Sequence, residues 1–484
     1  MSKNISLKKN FLMNIILTMS SIIFPLITFP YVSRVLGPVG SGKVSFASSV
    51  INYFSLFAQL GIPTYGIRVC AEVRDDHEKL TRTAQELLII NLVMDVITYA
   101  AFAVSLVIVP KFRTDRALLV VISSTIFLTS IGMEWLYKAL EQYTYITVRS
   151  MIFKLVALVS MFLLVHQQND YVIYGAISIL ASSASNVLNF ANAHHYIGFK
   201  PVGNYNFKKH LKPIGIFFAM SCATTIYTNL DTIMLGFMSG DAEVGYYNAA
   251  VKIKTVLVSI VTSLAAVLLP RASYYVANND MNDFKKIAQK ALNFTVIIAL
   301  PLTIYFMLFA KQGIYFLSGD QYHNSILPMQ WIMPTVVFIG ISNITGLQIL
   351  IPLGKEKIVL YSEVAGALTD LILNWLLIPH FLSTGAAIGT LAAEFVVLLV
   401  QFFAIQDQLV EAFKKIHYGR ILLALILGFV TSFWTLYLHM GDFITLLISA
   451  ILFFGLYFVV LLVMHESIVT EAADTVLTRL HLKH

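Results

Sequence analysis

Apolar runs of about twenty residues, broken by short polar connections, recur along the whole chain. A helix rising about 1.5 Å per residue needs roughly that many residues to cross a hydrocarbon core. Windows of that length predict fourteen spanning segments, near 11–33, 44–65, 84–109, 117–138, 147–166, 170–192, 213–237, 245–270, 290–316, 327–352, 358–380, 385–407, 419–439 and 442–464. The connections are too short to hold an inserted soluble domain. The first run follows Lys3, Lys8 and Lys9, as a signal-peptide core would. It continues to about Val32, with Pro25 and Pro30 inside it and no small-residue cleavage pattern, so it is read as a retained first helix. The predicted architecture is an all-α polytopic membrane protein.

Composition agrees. Of 484 residues, 58% are hydrophobic and 12% charged, and the mean hydropathy is +0.77. An ordinary soluble domain carries roughly a quarter charged residues. The net charge of +7 points to topology and away from nucleic acid, because the basic residues lie in the connections. With a cytoplasmic N-terminus, 24 of the 33 Lys and Arg fall on the cytoplasmic side. Six (Arg34, Lys43, Lys111, Arg113, Arg116 and Lys311) fall on the outer side, and Lys154, Lys252 and Lys254 lie inside segments. Both termini are therefore expected in the cytoplasm. The cluster at Lys111, Arg113 and Arg116 runs against the trend, offset in part by Asp115. Cys70 and Cys222 lack any metal-ligand or redox spacing. No phosphate-binding loop, nucleophile elbow or zinc-protease motif is present, so no enzyme activity and no cofactor are expected.

Two stretches about two hundred residues apart read as versions of one device. Tyr31-Val-Ser-Arg-Val-Leu-Gly37 leads through a turn into Gly42-Lys-Val-Ser-Phe-Ala47, and Thr232-Ile-Met-Leu-Gly236 leads into Gly245-Tyr-Tyr-Asn-Ala-Ala250. An even number of spans separates them, so they predict parallel repeats, and membrane chains of this kind place substrate between the halves. The organisation expected is an N-lobe over 1–197, a breaker-rich cytoplasmic tether over 198–212 and a C-lobe over 213–410. An extra helix pair over 411–465 and an amphipathic tail over 466–484 follow. In the tail, Ile468, Val469, Ala472, Ala473, Val476, Leu477 and Leu480 share one helical face, which suits a helix lying on the membrane surface.

Charges inside apolar spans face protein or a water-filled cavity. Arg34, Lys43, Lys252 and Lys254 lie at or near the two repeated junctions and outline a cationic patch, with Asp231 as counter-ion. Arg34 and Lys43 also fit interfacial anchors with snorkelling stems. Lys252 and Lys254 are two residues apart, so only one of them can face a cavity squarely, and Asp231 paired with either also fits a helix-to-helix staple. Asp95, Asp370 and Glu394 either couple transport to H+ or Na+ or hydrogen-bond to a neighbouring span, Asn374 being a natural partner for Asp370. Lys154 is expected to snorkel to the cytoplasmic surface. Glu134 and Lys138, four apart, are expected to pair. Pro25, Pro30, Pro301 and Pro334 mark where spans can bend.

Phe29-Pro-Tyr-Val-Ser-Arg-Val-Leu-Gly-Pro38 and Gly61-Ile-Pro-Thr-Tyr-Gly-Ile-Arg68 resemble the opening of the bacterial polysaccharide-transporter family, the Wzx-type lipid-linked oligosaccharide flippases. That family sits in the multidrug/oligosaccharidyl-lipid/polysaccharide exporter superfamily. Asp231-Thr-Ile-Met-Leu-Gly236, Gly245-Tyr-Tyr-Asn-Ala-Ala-Val-Lys252 and Leu268-Leu-Pro-Arg-Ala-Ser273 resemble its second half. The resemblance implies two six-helix bundles in a V around a central cavity, plus two extra helices, in the bacterial cytoplasmic membrane. It implies rocking that carries undecaprenyl-pyrophosphate-linked oligosaccharide units across the bilayer, with Arg34, Lys252 and Lys254 on phosphate. The partners implied are that lipid-linked glycan, membrane lipids and a glycan polymerase. A multidrug or cation antiporter of the same superfamily remains an alternative, as does a teichoic-acid or peptidoglycan-precursor flippase. A membrane enzyme acting on the same lipid would need a larger outer loop than any found here.

Overall fold

The computed structural model describes residues 7–414, 416–438 and 440–479, and among them there is no strand. In chain order the helices are α1 (Leu7–Gln59), α2 (Ile62–Glu72), α3 (His77–Ile108), α4 (Pro110–Thr114), α5 (Arg116–Gly132), α6 (Glu134–Ala139), α7 (Tyr143–Leu164), α8 (Tyr171–Ile179), α9 (Asn186–Asn192), α10 (Lys208–Met238), α11 (Asp241–Ala277), α12 (Met281–Leu308), α13 (Ala310–Ser318), α14 (Ile326–Ile332), α15 (Thr335–Asn343), α16 (Glu356–Lys414), α17 (Tyr418–Phe433), α18 (Asp442–Val463) and α19 (Ser467–Arg479). The all-α expectation holds. Ten helical stretches among the described residues are long and apolar enough to cross a bilayer, or eleven with Asp320–Ile332 and Thr335–Leu350 taken as one span bent by 43°. Fourteen were expected. Lys9–Glu72 and Glu356–Ile405 each run through two expected segments, and α10, expected at 213–237, is too polar to join the ten.

A straight helix of 53 residues would be about 80 Å long, far more than a bilayer needs. Gly37, at φ 65° and ψ −177°, breaks α1; glycine adopts that conformation at little cost. Leu382, at φ 53°, breaks α16 in the same way without a glycine. A Cβ on Gly385 would stand 2.6 Å from the Leu377 carbonyl carbon, so the chain reverses at Leu382 into a tight hairpin. Pro334 caps α15 at the bend that follows α14.

The chain divides into two compact units, Met1–Gly245 and Tyr246–His484. This division leaves α10 with the first unit, whereas the repeat pattern opens the second lobe at residue 213. In the first unit, α7 runs alongside the first half of α1 in the same direction. Thr147 donates to the Met13 carbonyl, Lys154 to the Ser20 and Ser21 hydroxyls at 2.8 and 2.9 Å, and Tyr31 to the Val165 carbonyl. Lys154 therefore does not snorkel; two serines on the adjacent helix hold its ammonium. The second half of α1 lies between α3 and α10, antiparallel to both. Phe54 meets Phe102 and Asn91 bonds the Ala58 carbonyl on one side; Phe46 meets Phe237 and Phe57 meets Phe218 on the other.

The connection over 198–207 is laced to α3 instead of hanging as a tether. Gln85 donates to the Gly198 and Lys200 carbonyls at 2.7 and 2.9 Å and accepts from the Tyr205 hydroxyl at 2.7 Å. Buried Glu86 accepts from the Asn206 amide at 2.6 Å, Lys209 at 2.7 Å and His210 Nε2 at 2.8 Å, and Tyr65 caps His210 Nδ1. At that same end the expected Glu134–Lys138 pair is present at 2.8 Å, and Arg149 is buried against the Ser185 carbonyl and Asn186.

The second unit packs α12, α17 and α18 around Tyr305, Phe309, Phe453 and Tyr457. Its tail helix docks on protein: Ile468 and Val469 join that core, and buried Glu466 is held by Asn293, His417 and Arg420. Leu480 and the side chains of Ala472, Val476 and Leu477, assigned above to a membrane-facing stripe, lie outside the described residues.

Removing the hub carboxylate by Glu86→Ala leaves Lys209, His210 and the Asn206 amide without their acceptor. The loss should be about 3–5 kcal/mol of stability, seen as a lowered midpoint of thermal unfolding in detergent. His210→Ala added to Glu86→Ala should cost less than it does alone, because the partners act as one network. An unchanged midpoint would show that the lacing is not structural.

Candidate functional site

The first unit brings the two repeated stretches into backbone contact. A Cβ on Gly42 would overlap the Asp241 carbonyl, and one on Gly245 would overlap the Pro38 carbonyl. One on Gly236 would overlap the Phe46 ring. These are positions where only a hydrogen fits, which explains glycine at matching places in both stretches. Ion pairs flank the contact. Lys111 reaches Asp241 at 2.7 Å with its ammonium 4.9 Å from the Phe46 ring centre. Lys43 reaches Asp115 at 2.8 Å with its ammonium 4.7 Å from the Tyr171 ring centre. The basic cluster that ran against the topology trend thus has a use, since Lys111 and Asp115 each tie a separate element to the junction.

The predicted site residues separate into kinds. Lys43, four-fifths buried, is committed to Asp115 and Tyr171. Arg34 is exposed, with its guanidinium donating to the Pro30 carbonyl at 2.7 Å. Asp231 is buried on α10. Lys252 and Lys254 lie at the middle of the crossing stretch Asp241–Ser263, the first exposed and the second half-buried. Among the described residues neither has an ion-pair partner. Asp95 is buried and accepts from Ser130 at 2.9 Å, a bond from α5 to α3, while its other oxygen has no partner. Asp370, Asn374 and Glu394 are buried in the second unit. A Cβ on Gly389 would overlap Asn374 Oδ1 and stand 3.2 Å from Asp370 Oδ1, so the Leu382 hairpin gathers both side chains at one glycine.

A polar groove went unrecognised in the sequence. Asn52, Ser55, Leu56, Gln59, Gly61, Pro63, Ser221, Thr225 and Asn229 line an open cavity of about 280 Å³ between the second half of α1 and α10. Ser45, Ser48, Asn52, Ser55 and Gln59 recur at helical spacing, as do Ser221, Thr225, Thr228 and Thr232. That period is legible in the chain, but uncharged residues do not interrupt an apolar window and a search for charge passes over them.

The sequence profile of the family described as polysaccharide biosynthesis protein matches residues 7–276, more than half of the chain. The chain belongs to that family. The family places it in the multidrug/oligosaccharidyl-lipid/polysaccharide exporter superfamily, and a second profile, MatE, matches residues 217–376. A candidate O-antigen transporter of Escherichia coli (strain K12) is 24% identical over 408 residues, covering 84% of this chain and 98% of that protein. Among solved structures, the lipid II flippase MurJ in an inward closed conformation aligns with TM-score 0.73. It shares 16% identity over 94% of this chain and 99% of that one. An inward-facing multidrug transporter of the MATE family aligns with TM-score 0.63 and 16% identity over 82% of this chain and 98% of that one. At these identities the structural likeness is one of fold. This polysaccharide-family member is a multi-pass membrane transporter of the flippase type.

Its junction ion pairs give a direct test. Asp241→Lys should cost about 1 kcal/mol, the order expected for a part-buried pair. Lys111→Asp in the same chain should recover most of that, read as the thermal midpoint in detergent. Losses that simply add would mean the two side chains do not interact.

Proposed function

We propose that the protein carries undecaprenyl-pyrophosphate-linked oligosaccharide units from the inner to the outer leaflet of the bacterial cytoplasmic membrane, by alternating access. Both termini are in the cytoplasm on this reading, as the basic connections require. The observation that carries it is the pair Lys252 and Lys254, at the middle of the apolar crossing stretch Asp241–Ser263 and without an ion pair among the described residues. A lone ammonium at that depth costs roughly 2.5–3.5 kcal/mol unless water or an anion meets it. A pyrophosphate headgroup is such an anion, and charge-assisted bonds to it are strong where water is scarce. Arg34, exposed and held in place by the Pro30 carbonyl, is the third group suited to phosphate. The lipid chain stays in the bilayer while the headgroup crosses. Lys43 is committed to the frame of the first unit. Glycan polymerisation then follows on the outer face, which makes a polymerase the natural downstream partner.

The MatE match favours a second reading, export of small organic cations. Lys252 and Lys254, without an ion pair among the described residues, argue against it, because like charges repel a cationic drug.

Deleting the gene should leave one lipid-linked glycan on the inner leaflet. Lys252→Glu, Lys254→Glu and Arg34→Glu should each cut its export about tenfold or more while the protein stays in the membrane. Export that survives all three reversals would reject the phosphate assignment, and lost efflux of a cationic dye with normal glycan export would favour the second reading. Coupling to H+ or Na+ belongs to this proposal through Asp95, Asp370 or Glu394. Asp95→Asn should abolish the response of transport to an imposed ion gradient and spare exchange at equilibrium. A gradient response unchanged in the variant removes Asp95 from that role.

A further inference from the structure

We infer that the groove between the second half of α1 and α10 binds the sugar portion of a lipid-linked substrate, selecting uncharged, hydroxyl- and amide-bearing residues. The inference rests on the flippase reading and adds to it a second subsite, separate from the phosphate-binding amines. Six of the nine lining residues are polar, namely Asn52, Ser55, Gln59, Ser221, Thr225 and Asn229, and none is charged. Hydroxyls and carboxamides offer donors and acceptors together, as sugar hydroxyls do. A groove without cations offers a pyrophosphate no charge to neutralise it, whereas its hydroxyls and amides match a neutral sugar. Leu56, Gly61 and Pro63 supply an apolar strip against which the C–H face of a pyranose packs.

The amides are oriented in advance. Asn229 donates to the Thr225 carbonyl and the Thr228 hydroxyl, each at 3.0 Å, and accepts from Asn52 Nδ2 at 3.2 Å. That chain holds the Asn52 carboxamide in place beside the groove. A purely structural contact between two helices would bring such groups together and exclude solvent. Here they line about 280 Å³ of open volume, and Asn52 is exposed. Asn52 is nine residues beyond Lys43, about 13 Å along the helix from the junction, and Gln59 is about 10 Å further.

The test uses the purified full chain in nanodiscs and two probes, undecaprenyl pyrophosphate and undecaprenyl pyrophosphoryl-N-acetylglucosamine. Wild type should bind both, the sugar-bearing lipid about tenfold more tightly. Asn52→Leu with Asn229→Leu should bring the two affinities within twofold and leave that for undecaprenyl pyrophosphate unchanged. Gln59→Leu with Thr225→Val, at the other end of the groove, should do the same and serves if the first pair fails to fold. A sugar preference kept by both double variants, or absent from wild type, overturns the groove assignment alone. Wild type that binds neither lipid overturns the flippase reading, and the groove assignment falls with it.

Discussion

A charge carried into an apolar helix must be answered by something other than lipid, and the manner of the answer sorts this molecule's side chains by role. Lys154 is answered by two serine hydroxyls, Arg149 by a carbonyl and an asparagine, and Lys43 and Lys111 by carboxylates. Each of these contacts joins two helices, so the energy that neutralises the charge also fixes the packing. Lys252 and Lys254 are not answered this way among the described residues. A transporter needs both kinds. Groups already satisfied hold the frame, and on the proposed reading groups without an ion pair are the ones available to a substrate.

Much of the fold was legible because membrane helices announce themselves by length and apolarity, and the backbone has few other ways to satisfy its hydrogen bonds in lipid. The two repeated junctions were legible for a different reason. Glycines recurring at matched places mark backbone contact, and Gly42 and Gly245 do meet the other stretch's carbonyls. The number of separate helical stretches differs from the number of expected segments where that logic weakens. The windows separate segments on either side of Gly37 and Leu382, whereas the structure runs each pair together as one helical stretch broken at that residue, and α10 carries enough serine, threonine and asparagine to fall below an apolar threshold.

Partners were harder to read than positions. Glu134 and Lys138 could be paired from spacing alone, since a helix places residues four apart on one face. Lys43 with Asp115, or Glu86 with Lys209 and His210, joins residues 72 to 124 positions apart, and no local period encodes such a pairing. The linker was misjudged for this reason. Its glycines, proline and lysines have the composition of a free tether, and only Gln85 and Glu86 on another helix convert it into an ordered strap. The tail was likewise read as meeting lipid when its first turn meets the core of the second unit.

The same distinction decides which cations suit a phosphate. For Lys43 to bind one, its ammonium would have to leave Asp115 and the face of Tyr171, exposing a carboxylate that is itself nine-tenths buried. Stranding a buried acid in that way costs several kcal/mol, about as much as a good phosphate contact returns. Lys252 has no such ion pair among the described residues. Net binding energy for an anion is therefore largely cancelled at Lys43, even though it belongs to the same repeated device as the α11 amines. Proximity to a junction identified the region, but the prior commitments of each side chain determine which of them can act on a substrate.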